Sequence, residues 1–172
     1  MKTITLKLLQ KLNACDSAIK LAKKEGLKSH SGQDVINRCM ELDRFDYANW
    51  LIVRLMSKMQ KVQYAVFAAE QVIDIYEKRY PDDERPRKAI EAAKDYLKSP
   101  SKKTRAAAAA YAACAGVVAA AYVAYATAAL ALSPAAGRVA AVVAVVAYAS
   151  GDAVAGKELQ IKIIEYGKNL IK

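Results

Sequence analysis

The sequence has little of the side-chain chemistry on which most enzymes depend. It contains one histidine, His30, in a loop rich in serine and glycine, and no G-x-S-x-G nucleophile motif accompanies it. The cysteines Cys15, Cys39 and Cys114 are odd in number, far apart and without the spacing of zinc ligands. No glycine-rich phosphate-binding loop is present. These absences argue against an ordinary hydrolase or transferase, so we predict no catalytic residue, no metal and no cofactor.

The sequence also lacks a convincing membrane span. Residues 106–132 contain no charge, but alanine dominates them and leucine, isoleucine and phenylalanine are almost absent. Tyr111, Tyr122 and Tyr125 lie along this run instead of clustering at its ends, where an aromatic belt would sit. A second run, residues 139–150, is too short to cross a bilayer alone. A membrane hairpin is therefore the weaker alternative to a water-soluble helical hairpin.

No export signal is recognisable in the sequence. The motif LNAC at residues 12–15 is similar to a lipoprotein cleavage site, but Lys7, Gln10 and Lys11 interrupt the apolar region that such a signal needs. The number and spacing of the three cysteines indicate small apolar core residues in a reducing compartment. We therefore expect the protein in the cytoplasm.

Basic residues exceed acidic ones throughout the chain. The net charge is +10 over 172 residues, a length that fits one domain or two small ones. Residues 1–100 and residues 101–172 each contribute about half of that charge. A distributed positive field favours an acidic partner, such as a nucleotide, a nucleic acid or an acidic protein surface. It also serves plain solubility, and charge alone does not separate these alternatives.

Apolar residues recur at helical spacing along the first eighty residues. The stripe that begins at Leu8 and ends at Ala22 predicts one helix, with Gly26 at its end. Ser31, three residues before Asp34, predicts the start of a short helix, and Asp46 is a plausible N-cap for the next one. A further amphipathic helix is expected from Met59 to Tyr76, with Tyr80-Pro81 ending it.

In residues 82–88 every residue except Pro86 is charged. Carboxylates at residues 82–84 stabilise the positive end of a helix dipole, and proline suits the first turn of a helix. A helix is therefore predicted here, with Ile90, Ala93 and Leu97 facing inward, and it ends at the proline of Ser99-Pro100. The simplest interpretation of residues 82–88 is a solvent-exposed helix N-terminus without a binding function.

Residues 106–155 contain 25 alanines. Alanine is the best helix former, so we expect a helical hairpin turned at the motif SPAAGR, followed by an amphipathic C-terminal helix. A helix that is apolar all round must be covered on every side, which favours a homo-oligomer formed through these alanine-rich helices. The predicted fold class is all-α, with about seven helices in a single domain, residues 1–172. Residues 1–100 form mixed amphipathic helices, and residues 101–172 form the hairpin and C-terminal helix.

One binding constellation stands out among the polar residues. Guanidinium groups match phosphate and carboxylate oxygens, and aromatic faces stack on bases or cations. Arg44 belongs to this constellation, and the candidate ligand-binding residues are Tyr47, Trp50, Arg54, Arg85, Arg87 and Lys88. The alternative is structural, with Arg54 paired to Asp46 or Asp83 and with Trp50 in the core.

Four segments in this order resemble a known family. They are LDRFDYANWLIVRLM, YPDDERPRKAIEAAKDYL, the Ala/Tyr-rich hairpin and LQIKIIEYGKNLI. Over about residues 40–170 the chain resembles the immunity protein family, small all-helical proteins of bacteria. The opening MKTITLKLLQKLNAC is most similar to relatives encoded by tailed phages, which would place the protein in the host cytoplasm.

The resemblance implies neutralisation by binding, without catalysis. An immunity protein blocks a toxin, and a phage counterpart would blunt a host defence. We therefore expect sequestration of an anionic, nucleotide-type signal. The alternatives are a protein–protein inhibitor that docks on an acidic toxin or effector, and a structural oligomeric helical protein. Nucleic acid is a possible but less favoured partner.

Overall fold

The computed structural model describes residues 2–106 and 153–172, and these residues are mostly helical. Two short strands, β1 (Thr3–Ile4) and β2 (His30–Ser31), pair antiparallel, with Thr3 opposite Ser31 and Ile4 opposite His30. The helices are α1 (Leu6–Lys11), α2 (Asp16–Lys24), α3 (Gly32–Glu41), α4 (Phe45–Leu55), α5 (Lys58–Glu70), α6 (Ile73–Arg79), α7 (Arg85–Lys98) and α8 (Ala153–Leu170). The predicted all-α class is confirmed, and the two-residue strands are its one small addition in the described part of the chain.

Local capping chemistry sets several helix boundaries as predicted. The Ser31 hydroxyl accepts a hydrogen bond from the Asp34 backbone N–H at the start of α3. Pro86 lies in the first turn of α7, where its missing N–H costs nothing. Gly26 follows α2 with a φ of 70°, a left-handed conformation that glycine adopts cheaply. Pro81 follows α6, which ends at Arg79.

Three predicted boundaries were wrong. The helix expected from Leu8 to Ala22 is divided into α1 and α2, because Asn13 adopts a φ of 59° that breaks the helical path. The helix expected from Met59 to Tyr76 is likewise divided into α5 and α6 by a turn at residues 71–72. Asp46 is not an N-cap. Arg44 occupies that position, and Asp46 lies in the first turn of α4.

The core is built around α4. This helix buries Ala48, Leu51, Ile52 and Val53, and it packs on α3 and α8, while α5 packs on α7 and α8. Such wide burial is typical of a helix covered on more than one side.

The C-terminal helix α8 completes this core. It contributes Ile163 and Ile164, both without exposed surface. The ring of Tyr166 stacks on Phe67 of α5 with centroids 3.9 Å apart. The residues at the end of the sequence therefore close the core formed by α4 and α5.

The alanine-rich hairpin predicted for the segment that begins at residue 106 lies almost entirely outside the described residues. The same holds for self-association through it and for the membrane alternative. Within residues 2–106 and 153–172, no helix combines the length and the apolar composition needed to cross a bilayer.

Candidate functional site

Tyr47 lies on α4 and already has contacts on its ring face and at its hydroxyl group. The guanidinium carbon of Arg44 sits 3.5 Å from the centroid of the Tyr47 ring. Arg44 also donates two hydrogen bonds to Asp46, at 2.9 and 2.7 Å. The Tyr47 hydroxyl donates to the Ser17 hydroxyl in α2 across 2.9 Å. Tyr47 therefore links α4 to α2, and one face of its ring stacks on a cation of the same helix.

Trp50 and Arg54 form a pair one turn further along α4. The guanidinium carbon of Arg54 lies 4.9 Å from the Trp50 ring centroid, within the range of a cation–π contact. One terminal nitrogen of Arg54 donates to the Leu12 carbonyl at 3.0 Å, next to the break between α1 and α2. The Nε of Arg54 is buried and has no hydrogen-bond partner among the described residues. Arg54 thus supports the α1–α2 turn instead of pairing with Asp46 or Asp83.

The basic residues at the start of α7 are bonded to nearby carboxylates. Arg85 donates from Nε and Nη2 to the two oxygens of Asp83, each at 2.7 Å. Lys88 pairs with Glu84 at 2.7 Å, one turn earlier. In α7, therefore, two of the predicted anion contacts are partly neutralised by acidic neighbours in sequence.

Arg87 forms the longest-range of these ion pairs. It donates from Nε to Glu77 of α6 at 2.6 Å and from Nη2 to the other oxygen of the same carboxylate, and it also reaches Asp74 at 3.3 Å. Hydrogen bonding to Arg87 lowers the pKa of Glu77, and the carboxylate in turn raises the pKa of Arg87 above its already high value. The charged segment therefore links α6 to α7.

The six predicted site residues separate into two places. Tyr47 and Trp50 line a cavity beside α2, with Arg54 in contact with Trp50. Arg85, Arg87 and Lys88 border shallow depressions at the start of α7, together with Asp83 and Glu84. None of these three cavities contains residues of both groups. A single ligand site formed by all six residues is therefore not assembled in the described structure.

The cavity beside α2 was not predicted from the sequence. Its volume is about 120 Å³, with α2 on one side and α3 and α4 on the other. Most of its lining is apolar and includes Ala18 and Ala22 of α2, Val35 of α3, and Trp50 and Leu51 of α4. The signal that could have indicated it is the small size of the alanines on the inward face of α2, which leaves space against the larger side chains opposite.

Polar contacts hold α2 near both of its ends. Near the N-terminal end, Ser17 accepts the hydrogen bond from Tyr47. Just beyond the C-terminal end, Arg38 of α3 donates from Nε and Nη2 to one oxygen of Glu25, at 2.9 and 2.7 Å. Although α2 is strongly amphipathic, none of its residues is fully buried. The helix is therefore held at its ends above an incompletely filled apolar space.

The segment that contains α1 and α2 is rich in exposed lysines. Residues 1–28 contain seven lysines against two acidic residues. All seven are exposed, and none forms an ion pair with another described residue. We call this the N-terminal basic surface: Lys2, Lys7, Lys11, Lys20, Lys23, Lys24 and Lys28.

The helical period separates this surface from the cavity. Lys20, Lys23 and Lys24 project from the side of α2 opposite to Ala18 and Ala22, because residues three and four apart share a helical face. These three lysines of the basic surface therefore face away from the cavity.

Catalytic and metal-binding groups are sparse in this region. His30 is exposed on β2 at the border of the cavity, beside Asp34 and Arg38. Within residues 2–106 and 153–172, no three His, Cys, Asp or Glu side chains are grouped so that they could hold a metal ion. Cys15 is an exposed free thiol, and Cys39 is a partly buried one.

Comparison with known proteins gives one match. The family model for the Imm-5 like putative immunity protein matches residues 52–166, about two thirds of the chain. No curated protein and no solved structure matches the sequence at the level of significance required. The matched region runs from the middle of α4 into α8, so the N-terminal basic surface and the whole of α1, α2 and α3 precede it.

Proposed function

The chain belongs to the Imm-5 like putative immunity protein family, and on this premise we propose that it neutralises a toxin or effector protein by docking on it through the N-terminal basic surface. Membership in this family favours a non-enzymatic role. Docking requires a surface and no reacting group, which agrees with the sparse chemistry of the described residues.

The lysines that form no ion pair with another described residue carry the proposal. A lysine that forms no ion pair in the free protein can approach a carboxylate of a partner without first giving up a bond. Seven such lysines, five of them on α1 and α2, give a positive field, which speeds the encounter with an acidic surface and repels basic ones. The match to the family begins at residue 52. On our proposal, the matched region supplies the scaffold and the N-terminal helices present the contact surface.

Charge reversal with a matched control tests the docking surface. The triple variant Lys20→Glu, Lys23→Glu, Lys24→Glu changes the charge of α2 at exposed positions. Its control is Lys78→Glu, Lys162→Glu, Lys172→Glu, which has the same change in net charge at exposed sites elsewhere. Each protein is purified from defence-active cells, and bound material is identified by mass spectrometry after denaturation.

We expect wild type and control to retain the same acidic protein and the α2 variant to lose it. Added salt should weaken the wild-type complex, since exposed charges are screened. The partner is then tested by its toxicity in cells, with growth restored by wild type and control only. Equal retention by both triple variants would contradict the proposed surface.

Capture of an anionic, nucleotide-type signal is the second candidate function. It is favoured by the net charge of +10 and by Arg54, whose guanidinium group lies over the Trp50 ring. The Nε of this arginine is buried and has no hydrogen-bond partner among the described residues. It is disfavoured at α7, where an anion would compete with carboxylates for Arg85, Arg87 and Lys88. Release of a nucleotide instead of a protein from the denatured sample would support this candidate.

If a nucleotide binds at α7 in competition with these carboxylates, Arg87→Ala should weaken nucleotide binding about ten- to a hundredfold, the usual effect of losing one charge-assisted contact. Unchanged binding by Arg87→Ala and Arg85→Ala would show that residues 82–88 form a helix N-terminus and not a nucleotide-binding site.

The resemblance of the opening residues to phage-encoded relatives extends the proposal to an anti-defence role in the host cytoplasm. The neutralised protein would then be a host defence effector. We also propose that the alanine-rich segment supports a homo-oligomer, as its composition predicts. Light scattering on the purified protein tests this. A monomer at high micromolar concentration would contradict the homo-oligomer. An oligomer that carries no bound partner would favour a structural role over neutralisation.

A further inference from the structure

The cavity between α2 and the α3–α4 pair holds unfilled apolar volume in the described part of the chain. It is lined mainly by aliphatic side chains and by the ring of Trp50, which is the single tryptophan of the sequence. The cavity is partly open to solvent, but its mostly apolar walls give water few hydrogen-bond partners. Side chains that face it lose the dispersion contacts that a filled core would give them. An apolar guest would restore these contacts.

The volume limits the size of the guest. At about 120 Å³, the cavity is slightly smaller than the cavity of about 150 Å³ that binds benzene in another protein. A single aromatic ring or a short branched alkyl group matches this space, whereas a nucleotide or a fused polycyclic molecule exceeds it. The border residues Glu25 and Arg38 pair with each other and Tyr47 bonds Ser17, so a charged guest would have to displace these contacts.

The attachment of α2 provides a route of entry. This nine-residue helix has no fully buried residue, and the two contacts Tyr47–Ser17 and Arg38–Glu25 hold it near its ends. A segment with few buried apolar contacts opens locally at lower free energy than the core does. The cavity is already partly open to solvent, and local opening of α2 would widen the entrance for a small free molecule.

We propose that this cavity is a binding site for one small neutral apolar molecule, with a single aromatic ring or a branched alkyl group. The site uses Ala18 and Ala22 on one wall and Val35, Trp50 and Leu51 on the other. It is distinct from the N-terminal basic surface, and it is independent of the proposed docking function.

Toluene is the probe, and Trp50 is the reporter. The full-length protein is titrated with toluene while Trp50 emission is excited at the red edge of its absorption, where toluene does not absorb. We expect a saturable change in emission and, in a nitrogen-15 correlation spectrum, shifts centred on the cavity-lining residues of α2, α3 and α4. A linear, non-saturable change, or shifts centred elsewhere, would overturn the proposal.

Two leucine substitutions provide the matched comparison. Ala22→Leu puts an isobutyl group into the cavity, and Asn37→Leu puts the same group on an exposed position of the adjacent helix α3. Ala22→Leu should weaken toluene binding at least about tenfold, while Asn37→Leu should bind like wild type. Equal binding by all three proteins would overturn the proposal. If Ala22→Leu fails to fold, Ala18→Val provides a smaller filling substitution, and the wild-type titration with its shift map decides independently.

Discussion

The hydroxyl group of Tyr64 donates a hydrogen bond to the side-chain oxygen of Asn49 across 2.6 Å, and neither side chain has exposed surface. This bond links α5 to α4 at the centre of the core. Burial raises the pKa of Tyr64, so the hydroxyl group keeps its proton and remains a donor. The side-chain nitrogen of Asn49 has no hydrogen-bond partner among the described residues. The bond from Tyr64 is therefore the one side-chain hydrogen bond that this buried amide forms with the described residues.

Tyr64→Phe should lower the free energy of unfolding by about 1–3 kcal/mol, because the Asn49 oxygen then lies buried without a donor. Urea unfolding followed by circular dichroism measures this. Tyr166→Phe is the control, since Tyr166 is partly exposed and its ring contact with Phe67 survives the loss of the hydroxyl group. Equal effects of the two substitutions would contradict a special role for the buried bond.

Gly167 of α8 lies against the same tyrosine. A Cβ atom at this position would lie 2.7 Å from Cε2 of Tyr64 and 2.9 Å from Cγ2 of Ile52. Helix propensity favours alanine over glycine by about 1 kcal/mol, whereas overpacking a core costs about 1–3 kcal/mol. The steric cost should win, because both neighbours are buried and cannot move aside.

We therefore expect Gly167→Ala to lower the melting temperature. The exposed Asn169, in the same helix, gives the comparison, and Asn169→Ala should leave the melting temperature unchanged or slightly raised. A stabilised Gly167→Ala protein would show that α8 shifts away from Tyr64 at little cost.

The parts of the fold that depend on neighbouring residues could be predicted from the sequence. Ser31, Pro86 and Gly26 act on the backbone within one turn, so their helix boundaries follow from residue type. The break at Asn13 was missed, because Leu12 and Cys15 continue the apolar spacing through it, and periodicity carries no information on a single φ angle. Asp46 was wrongly predicted as the N-cap, because residue type alone does not show that α4 begins at Phe45, with Arg44 at the N-cap.

Less of the candidate site could be predicted from the sequence. Which carboxylate binds Arg87 depends on the angle between α6 and α7, and Glu77 is ten residues away. The cavity depends on the distance between α2 and α3–α4, which is set by tertiary packing. The N-terminal basic surface follows from a simple count of lysines, but its lack of ion pairs with other described residues is a property of the folded chain.

The Arg87–Glu77 pair should make stability depend on pH. Hydrogen bonding to Arg87 lowers the folded-state pKa of Glu77 below its ordinary value of 4.5. A carboxyl group with a depressed folded pKa contributes stability above its unfolded pKa and loses that contribution as the pH falls through the folded pKa. The contribution should therefore be complete near pH 6 and disappear in more acidic solution.

Glu77→Gln removes this contribution, so its melting temperature should lie below that of wild type near neutral pH and converge with it at acidic pH. The effect should stay below about 1 kcal/mol, since the pair is partly exposed. The exposed Glu158, which forms no ion pair with another described residue, gives the control Glu158→Gln. A constant gap between Glu77→Gln and wild type at every pH would contradict the titration of this pair.

Cys15 and Cys39 should differ in their reactivity toward an alkylating agent. The Cys15 thiol is exposed at the N-cap of α2, and its hydrogen bond with the Ser17 hydroxyl, across 3.1 Å, lowers its pKa. Burial raises the pKa of Cys39 to about 11. The thiolate is the nucleophile, so at neutral pH iodoacetamide should modify Cys15 before Cys39.

Peptide mass spectrometry of samples quenched at successive times measures the two rates. Ser17→Ala removes the hydrogen bond, and it should slow Cys15 and shift its pH–rate midpoint upward while leaving Cys39 unchanged. In concentrated urea the two cysteines should react at similar rates, because burial no longer separates them. Faster reaction at Cys39 in the folded protein, or a Cys15 rate that is indifferent to Ser17→Ala, would contradict the arrangement at the start of α2.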